Sequence, residues 1–176
     1  MDSERAARRL GERLDASGET LAVAETVTGG LVGARLSAVP GASAYFDRAY
    51  VAYDYDALRT MLGVERETLD EAGAVSAPVA RQLARRARDR ADADWGVSTV
   101  GVAGPSGGNA EKPVGTAFVG VARAAPWESG DSGAWVEEQA VEGDRETVRE
   151  GVAAAALEAV RARAETLEGD GSEGDP

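Results

Sequence analysis

Thr20-Leu-Ala-Val-Ala-Glu25-Thr-Val-Thr-Gly-Gly30 decides how this chain folds. Its first six residues form the short apolar run of a buried strand. From Thr28 to Leu36, apolar residues recur at helical spacing, and Pro40-Gly41 marks the stop. A buried strand that runs straight into a helix is the building unit of an α/β sheet. In open sheets of that kind, ligand sites gather outside the carboxyl ends of the strands.

The pattern continues on both sides of this unit. Residues 3–16 read as an amphipathic helix, with Ser3 as N-cap and Ala6, Ala7, Leu10 and Leu14 on one face. A strand is predicted over 49–53, then short helical pieces over 56–61 and 65–71. Ser76 and Pro78 open a longer helix whose inward face is Val79, Leu83 and Ala87. Strands are predicted over 97–102, 114–122 and 134–141, the last two spaced as an antiparallel pair. A helix from Gly143-Asp144 to about 167 closes the order, with Val148, Val152, Ala155, Ala156, Ala159 and Val160 inward. The expectation is one three-layer α/β/α domain with a mixed sheet over 1–167. Residues 168–176 are Gly/Asp/Glu-rich and are expected to form a disordered acidic tail.

Composition excludes much. The chain has 176 residues with neither cysteine nor histidine, which removes disulfides, Cys nucleophiles, Ser-His-Asp triads and ordinary zinc sites. No apolar run reaches a membrane span, and the first residues lack signal-peptide character, so a cytoplasmic protein is expected. Thirty-one Asp+Glu oppose 19 Lys+Arg for a net charge of −12, and Lys112 is the single lysine. That balance argues against a nucleic-acid partner. It reads as adaptation to a salty interior, where screening suppresses self-repulsion, or else as plain acidity with lysine lost to a GC-rich genome. The arginines 81, 85, 86, 88 and 90 read as a solvated helix face before they read as a polyanion site.

Three segments carry possible chemistry. At Glu25-Thr26-Val27-Thr28-Gly29-Gly30, a helix start offers N–H groups to an anion or oxyanion, beside the hydroxyls of Thr26 and Thr28. The simpler reading is a capped helix with tight packing. The second segment is Gly101-Val-Ala-Gly104-Pro105-Ser-Gly107-Gly108, continuing through Lys112 to Thr116. Its glycines suit a phosphate nest, although it is neither a Walker loop nor a dinucleotide fingerprint. Lys112 stands here where the chain otherwise uses arginine, and lysine alone of the two gives up its proton when desolvated. The bland alternative is an exposed lysine. The third segment holds all four tyrosines, Tyr45, Tyr50, Tyr53 and Tyr55, with Asp47, Asp54 and Asp56. Core packing or a subunit contact is the default there, and stacking on an aromatic ligand is the sharper reading.

At these residues the chain resembles the CinA C-terminal domain family, to which nicotinamide-mononucleotide deamidases belong. The resemblance spans about 21–149. It rests on the ordered motifs Glu25-Thr-Val-Thr-Gly-Gly30, Val39-Pro-Gly-Ala-Ser-Ala-Tyr-Phe46, Leu62-Gly-Val64, Gly73-Ala-Val-Ser76, Gly101-Val-Ala-Gly-Pro-Ser-Gly-Gly108, Glu111-Lys-Pro-Val-Gly-Thr116 and Gly143-Asp-Arg145. It implies an α/β/α fold, a homodimer or higher homo-oligomer, no cofactor, and hydrolysis of the nicotinamide amide with release of ammonia. The family usually reads Glu-Ser-Cys-Thr-Gly-Gly at 25–30, with the serine as nucleophile. Here Thr26 and Val27 stand at the serine and cysteine positions. The family's Thr-Tyr-Ser-Asn-Glu-Ala-Lys, whose lysine is the base partner, is here Ala52-Tyr-Asp-Tyr-Asp-Ala-Leu58.

The leading expectation is therefore an amidohydrolase for nicotinamide mononucleotide or a related pyridine nucleotide. Thr26 would attack, and Lys112, or else Tyr53 or Asp54, would stand in for the lost base. Thr28, Gly29, Gly30, Gly101, Gly104, Pro105, Gly107, Gly108, Thr116 and Arg145 would bind substrate. The alternative is an inactive paralogue that only binds the nucleotide, which Leu58 favours because it takes no proton. A third reading, magnesium held by Glu25, Asp54 and Asp56, ranks below both.

Overall fold

Strand β1 (Leu21–Glu25) is buried at every residue because strands flank it on both sides and helices cover both its faces. The computed structural model describes residues 2–126, 128–130 and 132–171, with side chains described through Leu167. In chain order the elements are α1 (Ser3–Ser17), β1, α2 (Leu31–Ser37), a 3-10 turn (Ala42–Ala44), β2 (Phe46–Val51), α3 (Tyr55–Leu62), α4 (Arg66–Ala72), α5 (Ala77–Ala91), β3 (Trp95–Gly101), β4 (Thr116–Arg123), β5 (Gly133–Ala140) and α6 (Arg145–Gly171). The strands make one five-stranded sheet in the order β2-β1-β3-β4-β5. The β1 pairings with β2 and β3 are parallel, and those of β3 with β4 and β4 with β5 are antiparallel. The mixed three-layer α/β/α sandwich expected from the sequence is what forms.

Alternation along β1 divides the core. Leu21 and Val23 join Leu10, Leu36, Val152 and Leu157 under α1, α2 and α6, while Ala22 and Ala24 meet Leu58, Leu62, Val79 and Leu83 under α3, α4 and α5. Two glycines let α5 lie close to the sheet. A Cβ on Gly96 would stand 2.0 Å from the Ala84 carbonyl oxygen, and one on Gly120 would stand 2.4 Å from that of Ala80. Ser98 Oγ donates to the same Ala80 oxygen at 2.6 Å.

Several boundaries move. The cap of α1 is Asp2, whose carboxylate accepts from the Arg5 amide at 2.8 Å. Ser3, expected there, is instead buried against Glu150 of α6. β2 begins earlier than predicted, at Phe46, and stops before Tyr53. Asp144 caps α6, accepting from Thr147, and the backbone and side-chain donors of Thr147 hold its carboxyl below the usual carboxylate range. Helix α6 continues through Gly171, into the segment expected to be a tail, and residues 172–176 lie outside the described residues. No helix among the described residues is long and apolar enough to cross a membrane.

Candidate functional site

The carboxyl ends of the parallel strands β1, β2 and β3 lie along one edge of the sheet, and the chain leaves them through Thr26, Ala52 and Val102. Outside that edge is a cleft of about 170 Å³ lined by Thr26, Val27, Tyr53, Tyr55, Leu58, Ala74, Val75, Gly101 and Ala103. Thr26, Tyr53 and Gly101, singled out from sequence on three separate segments, thus meet at one place.

Glu25 shapes the turn that presents Thr26. It is fully buried at 0% exposure. Its Oε2 accepts from the Thr28 hydroxyl at 2.7 Å and the Gly30 and Val32 amides at 2.9 and 3.1 Å, and its Oε1 accepts from the Gly33 amide at 2.8 Å. A carboxylate from the strand end therefore closes the start of α2, whose own N-cap residue, Gly30, has no side chain to do so. Thr99 Oγ1 lies 2.7 Å from Thr28 Oγ1. Since the Thr28 proton goes to Glu25, the Thr99 hydroxyl is the donor of that pair. With four donors on its two oxygens, Glu25 is a structural anion here, which removes it from the magnesium reading. Among the described residues no group of three or more acidic side chains gathers as a metal site would require.

Two consequences follow for the chemistry expected at this turn. The Gly30 amide is spent on Glu25, and that of Gly29 donates to the Thr26 carbonyl at 3.1 Å. The unpartnered amides of the turn are those of Val27 and Thr28, which take no acceptor among the described residues. Thr26 Oγ1 donates to the Thr99 carbonyl at 3.0 Å, and the Thr26 amide donates to the same oxygen at 3.0 Å. The Thr26 proton thus rests on a carbonyl, which is no base. Leu58, at 2% exposure, fills the cleft wall with an apolar side chain where the resemblance implied a lysine.

Arg145, at the start of α6, ties the rim together. Its Nη1 donates to the Gly104 carbonyl at 2.6 Å and its Nη2 to the Tyr53 phenol oxygen at 2.7 Å. Tyr53 is 65% exposed, so this guanidinium stands at the mouth of the cleft. Tyr55, also at the rim, donates to the Asp70 carboxylate. That bond pushes the Tyr55 phenol up and holds Asp70 down. The 101–108 loop turns at a cis Gly104–Pro105 peptide. Gly104 has φ 77°, and a Cβ there would stand 2.6 Å from Val114 Cγ1. Gly107 and Gly108 are exposed farther along the loop and do not line the cleft. Thr116 is buried, its carbonyl accepting from the Val102 amide at 2.9 Å.

Lys112 is placed elsewhere. Its Nζ donates to the Ala72 carbonyl at 3.0 Å, at the end of α4, and it is not among the cleft-lining residues. Its hold is on the backbone just before Ala74 and Val75, which form one wall. Arg149 was not anticipated from sequence. From α6 its Nη2 and Nε reach the Thr28 carbonyl at 2.9 and 3.3 Å and so brace the turn that follows Thr26. Its position one helical turn after Arg145 was the available signal. On α5, Arg81, Arg85, Arg86 and Arg90 are exposed, whereas Arg88 is half-buried and donates to the Arg123 carbonyl.

A mixed five-stranded α/β/α sandwich with a cleft at its parallel-strand ends defines the class. This chain belongs to the CinA family: the CinA C-terminal domain model matches residues 3–164. A CinA-like protein of Anaeromyxobacter sp. (strain K) is 49% identical over 149 residues, covering 85% of this chain and 35% of its own. A putative competence-damage inducible protein of Symbiobacterium thermophilum is 43% identical over 162 residues, covering 91% and 38%. The chain thus spans little more than a third of the length of these curated relatives. Among solved structures, the competence/damage inducible protein CihA from Agrobacterium tumefaciens superposes with a TM-score of 0.84 at 37% identity, covering 91% of this chain and 94% of that one. A competence damage-inducible protein from Klebsiella pneumoniae superposes at 0.84 with 28% identity, covering 96% and 98%.

Proposed function

We propose that the cleft binds nicotinamide mononucleotide or a related pyridine nucleotide and that Thr26 hydrolyses its amide. The carrying observation is the Thr26 hydroxyl lining the cleft next to the unpartnered Val27 and Thr28 amides. In this reading Thr26 Oγ1 adds to the amide carbon, and those two N–H groups receive the oxyanion. The C–N bond then breaks, ammonia leaves with the hydroxyl's proton, and water hydrolyses the ester to the carboxylate. Arg145 at the mouth supports the phosphate, and Tyr53 and Tyr55 support the ring. With Leu58 in the wall, the proton passes to solvent or to the Tyr53 phenol in this reading. Turnover is accordingly expected about 10²–10⁴-fold below that of a Ser–Lys pair.

The second reading, nucleotide binding without turnover, is favoured by the same Leu58. Ammonia release from nicotinamide mononucleotide, measured in molar KCl and in dilute buffer, separates the two. Release that disappears in Thr26→Ala while calorimetric binding persists supports the amidohydrolase. Binding with no release at either salt supports the binder, and neither binding nor release overturns both. The two salt conditions also test the adaptation inferred from the net charge of −12.

A further inference from the structure

Thr28 is held by two full charges at once. Its hydroxyl donates to the buried Glu25 carboxylate at 2.7 Å, and its carbonyl accepts from Arg149 Nη2 and Nε at 2.9 and 3.3 Å. The same carbonyl accepts from the Leu31 amide at 3.2 Å. Arg149 Nη2 also lies 3.9 Å from the position a Cβ would take on Gly29. A carboxylate from the end of β1 and a guanidinium from α6 are thus both seated on the turn between Thr26 and Gly30.

The two charges act in opposite directions on whatever the cleft holds. Glu25 is removed from water, so its negative charge is weakly screened at the turn. Its four donors, one hydroxyl and three amides, are all uncharged. Acting alone, it opposes a negative charge placed against Thr26 and Val27, the two turn residues that line the cleft. Arg149 supplies a full positive charge to the same turn. Its carboxylate partner Glu146, at 3.3 Å, is 75% exposed, whereas the Arg149 side chain is 28% exposed. Solvent therefore weakens that pairing, and the guanidinium still acts on the turn.

We infer that Arg149 is a positioning residue that lets the cleft accept negative charge at its reacting end, by holding the Thr28 carbonyl and offsetting Glu25. This role rests on the nucleotide reading of the cleft. In that reading the amide is neutral when it binds, and charge gathers on its oxygen only as Thr26 adds. The carboxylate product carries a full negative charge at the same place. Arg149 accordingly favours the carboxylate and leaves the amide nearly untouched. Arg145, one helical turn earlier, reaches the Gly104 carbonyl and the Tyr53 phenol at the mouth instead. There it serves the phosphate, which the two ligands share.

The test is calorimetric titration of the full Thr26→Ala chain, in which nothing turns over, with nicotinamide mononucleotide and with nicotinate mononucleotide. The KCl concentration is the lowest that keeps the chain folded. With Arg149 in place, the carboxylate is expected to bind no more weakly than the amide. Adding Arg149→Gln keeps a donor for the Thr28 carbonyl and removes the charge. It is expected to weaken the carboxylate about tenfold or more and the amide less than about twofold. Arg149→Lys keeps the charge and is expected to keep the preference, while Arg145→Gln weakens both ligands alike. Should circular dichroism show Arg149→Gln unfolded, Arg149→Met is titrated in its place with the same expectation. A carboxylate bound about tenfold more weakly than the amide with Arg149 present overturns the role. So does a loss shared equally by both ligands, no loss in either, or a preference that follows Arg145 instead. A folded chain that binds neither ligand overturns the nucleotide reading itself, and this role with it.

Discussion

Glu25 Oε1 accepts the Gly33 backbone amide at 2.8 Å, so the last residue of β1 caps the helix that follows it. Three further donors converge on the same carboxylate, from Thr28, Gly30 and Val32. The turn that presents Thr26 is held in shape by this one anion. Hydrogen bonds to a charged group are worth about 1.5–3 kcal/mol each, and the Thr28, Val32 and Gly33 donors left behind are buried. Glu25→Ala is therefore expected to lose more than about 3 kcal/mol of stability, and Glu25→Gln less because one carbonyl oxygen survives. Urea denaturation measures both, and a Glu25→Ala chain as stable as wild type would remove the carboxylate from this role.

Restoring the missing base is the complementary experiment. Leu58 lines the same cleft as Thr26, so Leu58→Lys places an amine in the cleft to take the proton that the proposed mechanism removes from Thr26. Paired with Thr26→Ser, it is expected to raise ammonia release from nicotinamide mononucleotide by about 10²-fold or more over the wild-type chain. The gain should appear in kcat, since the residues proposed to hold ring and phosphate are unchanged. A double variant that folds and binds but releases ammonia no faster would mean that the cleft does not hold the amide against residue 26.

How far the sequence reaches is clear from particular residues. The continuous apolar run of β1 and the helical spacing of Val79, Leu83 and Ala87 are local signals, and all of these positions are buried. The grouping of Thr26, Tyr53 and Gly101 was also accessible, because each follows or ends a parallel strand. Less legible was anything decided by a partner distant in sequence. Ser3 looks like a cap until Glu150 is known to stand beside it. Lys112 looks like a base until the Ala72 carbonyl takes its ammonium. Glu25, an acidic residue at a strand end, offers itself from sequence as a magnesium ligand beside Asp54 and Asp56. Only the four donors around it decide.

The close seating of α5 on the sheet predicts a steep cost at Gly120. Its missing Cβ leaves room for the Ala80 carbonyl, and Ser98 Oγ lies 2.6 Å from the position a methyl would take. Neither neighbour is a flexible side-chain end, so α5 or β4 has to shift. Gly120→Ala is expected to destabilise by about 1–3 kcal/mol, in line with overpacking in a well-packed core. Gly18→Ala serves as a contrast, since nothing lies within 4 Å of its Cβ position and only the strain of φ 68° remains. Thermal denaturation of the two variants compares packing with backbone strain. A Gly120→Ala chain that melts with wild type would show that the α5–sheet contact is looser than described.

Acid sensitivity is expected to trace in part to Glu150. Burial pushes its carboxyl up, but the Ser3 hydroxyl and amide and the Arg35 guanidinium outweigh that, and its pKa lies below the ordinary carboxylate value. The contacts are 2.6 and 2.9 Å to Ser3 and 3.2 Å to Arg35 Nη2, and they join α6 to α1 and α2. A carboxylate with a lowered folded-state pKa binds its proton more readily when the chain is unfolded. Its contribution is thus full above the unfolded value and is lost as pH falls through the folded one. Between about pH 5 and pH 3 the wild-type chain is therefore expected to lose stability faster than Glu150→Gln, so that the gap between them narrows on acidification. Urea midpoints for both chains across that range provide the measurement. A gap that stays constant with pH would assign the contribution of Glu150 to packing and neutral hydrogen bonds instead of to its charge.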